Sequence, residues 1–278
     1  MGICSDILQQ VTYPGVVKAM EENLIEFILF CSCIPGAEAY KNVDHIAAIT
    51  GILQPSLNVV MSAHIDEQQI KTRIHEIMQP FKERAIPMLW YLFPDARPTS
   101  LPMYLDQHGL INNGAEPGMA LDLSLLPSTL TDIPVPEHFN IEEVASSNAL
   151  QEWIHVSSIA FGGEPVAFDS EYGRFEQCLG WGQDRPYRRF LGRLNGKAIA
   201  TSSLFLGAGV AGLFSVGTLP EAQRQGIGTA ISIAPLLLAR EAGYNIGVLQ
   251  ASEAGYKVYT KIGFRECCRI QTYLWAPA

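Results

Sequence analysis

The 278-residue sequence predicts an α/β chain of the α+β kind, arranged in two units. Three observations lead there. An apolar run over 210–218 is followed by a turn, by Gly226 and Gly228, and by a second apolar run over 227–242, which reads as strand, loop and helix. Asn195-Gly196 separates two further strand-like runs, 187–194 and 197–206. Asn-Gly is the favoured type I′ hairpin pair, so these strands are antiparallel neighbours and do not belong to a repeating βαβ fold. A proline-bearing stretch over 127–137 divides the chain into halves of different charge, and is read as a linker.

In chain order, apolar positions Val16, Val17, Met20, Leu24, Phe27 and Ile28 predict a helix over 16–33. Strands are expected over 40–52 and 57–65, separated by Gln54-Pro55-Ser56. A helix over 66–84 follows, with Asp66 as its N-cap and Ile70, Ile74, Ile77, Met78 and Phe81 on one face. Next come a strand over 88–93, a short helix over 98–108 stopped by Gly109, and a strand over 119–126. After the linker the pattern gives a strand over 139–144 and helices over 148–161 and 164–180, the second entered through Pro165. The hairpin and the strand–loop–helix stretch follow. Pro235, inside that helix, is expected to bend it or force a local adjustment. A strand over 245–251, a helix over 254–262, Gly263-Phe264 and two final strands ending near Trp275 complete the chain.

Composition narrows the class. Hydrophobic residues make up 48% and charged residues 17%, the balance of a globular protein. Residues 1–140 carry 7 Lys and Arg against 16 Asp and Glu, whereas 141–278 carry 12 of each. The acidic half argues against nucleic acid as a partner. The six cysteines (Cys4, Cys31, Cys33, Cys178, Cys267, Cys268) form no C-x-x-C pair, which argues against zinc, so no metal is expected and a reduced, cytoplasmic protein is. The apolar run over 24–34 is too short to span a bilayer and holds Glu26, so no membrane association is expected. It lacks a basic flank of the signal-peptide kind, and Met1-Gly2 meets Asp6 where a myristoylation motif needs Ser or Thr.

The loop over 218–230 organises the functional reading. A strand that runs through glycines into a helix presents backbone N–H groups without intrahelical partners, backed by about half a positive charge from the helix dipole. That is an anion site of the pyrophosphate kind. A dinucleotide fingerprint would want a third glycine, and Ile231 stands at its place.

Gln223-Arg224-Gln225-Gly226-Ile227-Gly228 is followed by Val248-Leu249-Gln250-Ala251 and by Tyr259-Thr260-Lys261-Ile262-Gly263-Phe264. This constellation resembles the GNAT superfamily of acyl-CoA-dependent N-acyltransferases, with a Gln/Arg-x-x-Gly-x-Gly/Ala loop and a later Tyr-x-x-x-Gly-Phe. The likeness covers about 138–278. It implies a mixed, mostly antiparallel sheet flanked by helices, with acetyl-CoA as co-substrate. It also implies that N–H groups of Arg224, Gln225, Gly226, Ile227, Gly228 and Thr229 hold the pyrophosphate, with Gln223 beside them. By the same likeness Val216, Gly217 and Thr218 pair with the pantetheine arm and aim an N–H at the thioester carbonyl, Gly217 being a bulge. Tyr259 is the acid for the leaving thiolate, and Phe264 completes its motif. Relatives often carry Asn where Ser252 stands, a shorter donor to pantetheine. No base is singled out: Glu164, Glu171 and Glu253 are carboxylates in suitable segments, and a water-relayed route needs none of them.

The first half echoes the second at an offset of 154 residues: Gly109-Leu110 falls on Gly263-Phe264, 57–64 on 211–218, and 66–84 on 220–238. The expectation is therefore a tandem protein, with a GNAT-like unit over 1–130 and a catalytic unit over 138–278. The first unit is degenerate, because Leu105, Thr72 and Ile74 stand where Tyr259, Gly226 and Gly228 would, and Tyr104, His64 and Trp90 read as packing residues. The expected activity is transfer of an acetyl group to a primary amine of a small molecule, peptide or protein by direct attack in a ternary complex. The alternative is an acyl-CoA-binding sensor or interaction module without turnover. The acceptor and the oligomeric state stay open at this point.

Overall fold

A computed structural model describes residues 15–277. Cys4 and the Met1-Gly2 and Asp6 positions lie outside them. The chain contributes to two compact units. One takes residues up to Leu24 and Gly118–Cys267; the other takes Ile25–Pro117 and Cys268–Ala278. These do not follow the halves 1–130 and 138–278. Each unit takes a strand from the opposite half of the chain, which a search for linkers has no means of seeing.

The smaller unit holds β1 (Glu38–Lys41), β2 (Ile46–Ile49), β3 (Asn58–Met61), α2 (Ile70–Glu83), β4 (Met88–Leu92), α3 (Leu101–Gln107) and the C-terminal part of β11 (Arg265–Trp275). Its strand order is β1-β2-β3-β4-β11, antiparallel except for the parallel pair β3–β4. Ile70, Ile74, Ile77, Met78 and Phe81 of α2 are buried as their spacing predicts. The expected strand over 40–52 is a hairpin of two strands, because residues 42–45 turn. There Asp44 accepts from His45 Nδ1 (2.8 Å) and from Arg73 Nε (2.8 Å). The N-cap of α2 is Gln69, while Asp66 closes an Asx turn by accepting from the Gln68 N–H at 2.8 Å.

The larger unit holds α1 (Gly15–Cys31) up to Leu24, the end of β5 (Ile111–Asp122), β6 (Phe139–Glu143), α4 (Ser147–Ala160), α5 (Glu171–Leu179), β7 (Tyr187–Leu194), β8 (Lys197–Gly207), β9 (Val210–Thr218), α6 (Ile227–Glu241), β10 (Ile246–Gln250) and α7 (Glu253–Ile262). Its order is β6-β7-β8-β9-β10-β5, antiparallel except for the parallel pair β9–β10. Each unit thus repeats strand–strand–strand–helix–strand and closes on a long strand. Asn195 (φ 50°) and Gly196 (φ 80°) form the predicted left-handed turn pair. The final two strands expected from sequence are one, β11.

Two further expectations shift. The helix foreseen over 164–180 begins at Glu171, capped by Ser170 Oγ, which accepts from the Gly173 N–H at 3.0 Å; Pro165 lies in the loop before it. The linker over 127–137 is strapped to the larger unit. Arg240 donates to the carbonyls of Leu126 and Pro127, 3.1 Å each, and Leu130 and Ile133 pack on the core.

Candidate active site

Strand β9 is built to part from its neighbour. It is in register with β10 only at Ala211↔Gly247 and Gly212↔Val248. At Val216, Gly217 and Thr218 the strand has no register partner on β10 among the described residues. On the other edge, Thr201 faces Gly217 and Ser203 faces Phe214, so β9 spends one extra residue at Ser215–Val216. That bulge, with Ser215 at φ 51°, sits one position before the expected Gly217. Thr201 Oγ1 braces it by donating to the Ser215 carbonyl at 3.1 Å. Opposite the bulge, the Ser202 carbonyl accepts from Trp153 Nε1 at 3.2 Å. Gly217 serves packing: a Cβ there would stand 2.7 Å from the Ala160 Cβ, so its small size lets α4 lie against the strand.

Thr218 leads through a short turn into α6. Arg224 adopts φ 62° and Gly226 φ 82°, both left-handed, and Gly226 is the N-cap. The Gly226 carbonyl accepts from the Thr229 and Ala230 N–H groups, 3.1 Å each, and no side chain caps the helix. The N–H groups of Ile227 and Gly228 come before the first intrahelical bond. Gln223, Arg224 and Gln225 are exposed, and Gln223 Nε2 donates to the Thr218 carbonyl at 3.2 Å. The Ile227 side chain is buried, so it has only its backbone to offer. The two glycines differ. A Cβ at Gly228 would have Thr218 Oγ1 at 3.9 Å as its neighbour, leaving room for an anion, whereas a Cβ at Gly226 would collide with the Pro134 carbonyl oxygen. An uncapped helix start with open space at Gly228 fits a pyrophosphate. Gly226 is needed for its φ and for the strap.

Tyr259 lies on α7 and is 8% exposed. Burial pushes its phenol well above the usual tyrosine range, which keeps the proton on the oxygen. Its ring meets Phe264 edge-on with centroids 5.8 Å apart, and Phe264 is itself core. Gly255, a residue the sequence reading passed over, gives the ring its place: a Cβ there would stand 2.8 Å from Tyr259 Cε2. Ser252 is the N-cap of α7, and its Oγ accepts from the Gly255 N–H at 3.2 Å. One lone pair is thereby committed to the helix, and its hydroxyl proton is left to offer. Glu164, Glu171 and Glu253 are all exposed.

The segment between α4 and β7 is held by a buried ion pair. Arg189, with 1% exposure, donates through Nε to Glu176 Oε2 (2.8 Å), through Nη1 to the Gly180 carbonyl (2.7 Å) and through Nη2 to the Glu176 carbonyl (3.0 Å). Tyr172 donates to the other Glu176 oxygen at 2.8 Å, and the guanidinium lies 4.4 Å from the Tyr187 ring centroid. Every polar group of the pair is thereby answered, which is what a buried charge requires.

Residues 148–264 match the model of the acetyltransferase (GNAT) family. That stretch is a GNAT domain. The whole chain is also similar in fold to a GCN5-related N-acetyltransferase from Kribbella flavida, with a TM-score of 0.70 at 17% identity over 97% of each chain. A functionally unknown conserved protein from Staphylococcus epidermidis gives 0.64 at 15% identity, over 90% of this chain and 98% of its own. A tandem GNAT protein from the clavulanic acid biosynthesis pathway, solved without AcCoA, gives 0.61 at 13% identity over 95% and 94%. No curated protein sequence matches the chain. The family supports acyl-CoA-dependent acetyl transfer in general terms, and the full-length likeness is one of fold. Among the described residues there is no cluster of three or more His, Cys, Asp or Glu that could hold a metal ion, and no helix long and apolar enough to cross a membrane.

Proposed function

We propose that the protein is an acetyl-CoA-dependent N-acyltransferase that moves an acetyl group to a primary amine by direct attack in a ternary complex. The observation that carries this is the parting of β9 from β10 after Gly212, on a strand that runs on into the uncapped start of α6. Acetyl-CoA supplies the acyl group as a thioester. Of the stretch 224–229, the N–H groups of Ile227 and Gly228 at the helix start donate to the pyrophosphate, while that of Thr229 is engaged by the Gly226 carbonyl; Gln223 and Ser252 are flanking side chains. The unpaired edge over Val216, Gly217 and Thr218 lines the pantetheine and directs an N–H at the thioester carbonyl, where negative charge develops.

As the amine nitrogen bonds to the carbonyl carbon and the carbon–sulfur bond breaks, Tyr259 offers its proton to the sulfur. Burial makes that phenol a weaker acid than free tyrosine, so it acts chiefly as a fixed donor at the leaving group. The amine loses its proton to water, as no carboxylate is assigned as base. The smaller unit, without the glycines and the tyrosine, is a structural partner. Nucleic acid and membrane have no place in this scheme, which suits a cytoplasmic enzyme.

The test is a screen of amines with acetyl-CoA that follows free thiol release. Amine-dependent thiol release is the expected outcome. Acetyl-CoA binding without turnover across the panel would favour a sensor or interaction module instead.

A further inference from the structure

Phe161 closes α4 and is 63% exposed, although phenylalanine is ordinarily among the more buried residues. Its backbone is held firmly. Its own N–H donates to the Ser157 carbonyl at 3.2 Å, the Gly162 N–H to Ile159 at 2.9 Å and the Gly163 N–H to Ser158 at 3.0 Å. Further along, the Val166 N–H donates to Ser158 Oγ at 3.2 Å, and Val166 and Phe168 pack on the core, which pins the loop down on both sides of the exposed ring. The ring edge, at Cε2, lies 3.6 Å from the place a Cβ would take on Gly217, so it stands against the α4-facing side of β9 at one of the residues to which the thioester is assigned above. Residues 161–171 carry Glu164, Asp169 and Glu171, all exposed, and no Lys or Arg.

We propose that Phe161 is the apolar wall of the acceptor pocket and that the acidic loop draws in a cation, so that the acceptor is a primary amine borne on an aromatic or branched apolar group. This rests on the acyltransferase reading and adds the chemistry of its second substrate. A free ammonium is attracted by the three carboxylates, and its apolar body covers a ring that otherwise stands in water.

The experiment compares 2-phenylethylamine, ethanolamine and phenylalanine as acceptors for the wild type and Phe161→Ala. Acetyl-CoA affinity is followed by calorimetry and melting temperature by scanning. The wild type is expected to favour phenylethylamine over both ethanolamine and the carboxylate-bearing phenylalanine. Phe161→Ala is expected to raise the phenylethylamine KM about tenfold, with acetyl-CoA affinity and melting temperature unmoved. Equal use of the amines by the wild type, or an unmoved phenylethylamine KM in Phe161→Ala, would overturn the acceptor assignment while acyl transfer stands. Absence of transfer to all three with acetyl-CoA still bound would overturn both readings.

Discussion

Ser202 donates its hydroxyl to the Ile231 carbonyl oxygen at 2.8 Å, the carbonyl that Pro235, four residues on in α6, cannot serve because it has no N–H. The proline tolerated inside this helix is therefore answered from β8. Ser202→Ala should lower stability by about 1–3 kcal/mol by leaving a buried acceptor unmet. Pro235→Ala restores an N–H to the helix, so the double variant should recover part of that loss in urea unfolding. Strict additivity of the two changes would show that the bond does not compensate for the proline.

The two loop glycines should separate stability from binding. Gly226→Ala puts a Cβ against the Pro134 carbonyl at a left-handed φ and should cost about 1–3 kcal/mol of folding stability. Gly228→Ala has room in the fold and gains helix propensity, so unfolding should be unchanged or up to about 1 kcal/mol harder. Its methyl group should nonetheless weaken acetyl-CoA binding, read by calorimetry. Unaltered affinity in a well-folded Gly228→Ala protein would remove this loop from the pyrophosphate assignment.

Tyr259→Phe should cut kcat by about 10- to 1,000-fold and leave acetyl-CoA affinity nearly intact. The pH dependence has a definite sign. The folded-state pKa lies above the unfolded value near 10.0 because of burial, so the unfolded chain loses this proton first as pH rises. The stabilising contribution of the neutral phenol is present below pH 10 and lost progressively above it. Tyr259→Phe should flatten that decline above pH 10 in denaturant titrations. Identical alkaline profiles for the two proteins would contradict the buried state.

Removal of residues 268–278 should unfold the smaller unit. Gln271–Trp275 pair in register with Leu92–Met88, so the deletion strips β4 of its antiparallel neighbour and exposes Tyr273 and the cluster around Trp90. Amide exchange over β4 should rise by orders of magnitude compared with the full chain. Retained protection would mean that the strand is dispensable.

The offset of 154 residues places β5 on β11 and α3 on α7, so the repeat was readable from glycines and apolar spacing. Helix starts were less legible. Ser170 opens its helix through a side-chain bond to the Gly173 N–H, where Pro165 seemed to claim the start; α2 opens at Gln69 with no side-chain cap, because Asp66 spends its carboxylate on an Asx turn to Gln68. In the site, the loop glycines and Tyr259 stood out by spacing. Gly255, which makes room for the tyrosine ring, and Phe161, which stands by Gly217, carry no periodic signal. Phe161 could have been noticed only as an aromatic residue followed by Gly162-Gly163 at a helix end.

By itself the sequence determined the order of strands and helices, the Asn195-Gly196 turn and the strand–loop–helix around Gly226 and Gly228. All of these depend on local φ preference and on the period at which apolar side chains recur. The tertiary structure alone decided which strands pair, that the bulge falls at Ser215–Val216, that the end of β5 and the end of β11 each join the unit built mainly from the other half, and that Pro134 rests on Gly226. Register and contact between distant segments follow from how whole faces pack, and adjacent residues do not encode that.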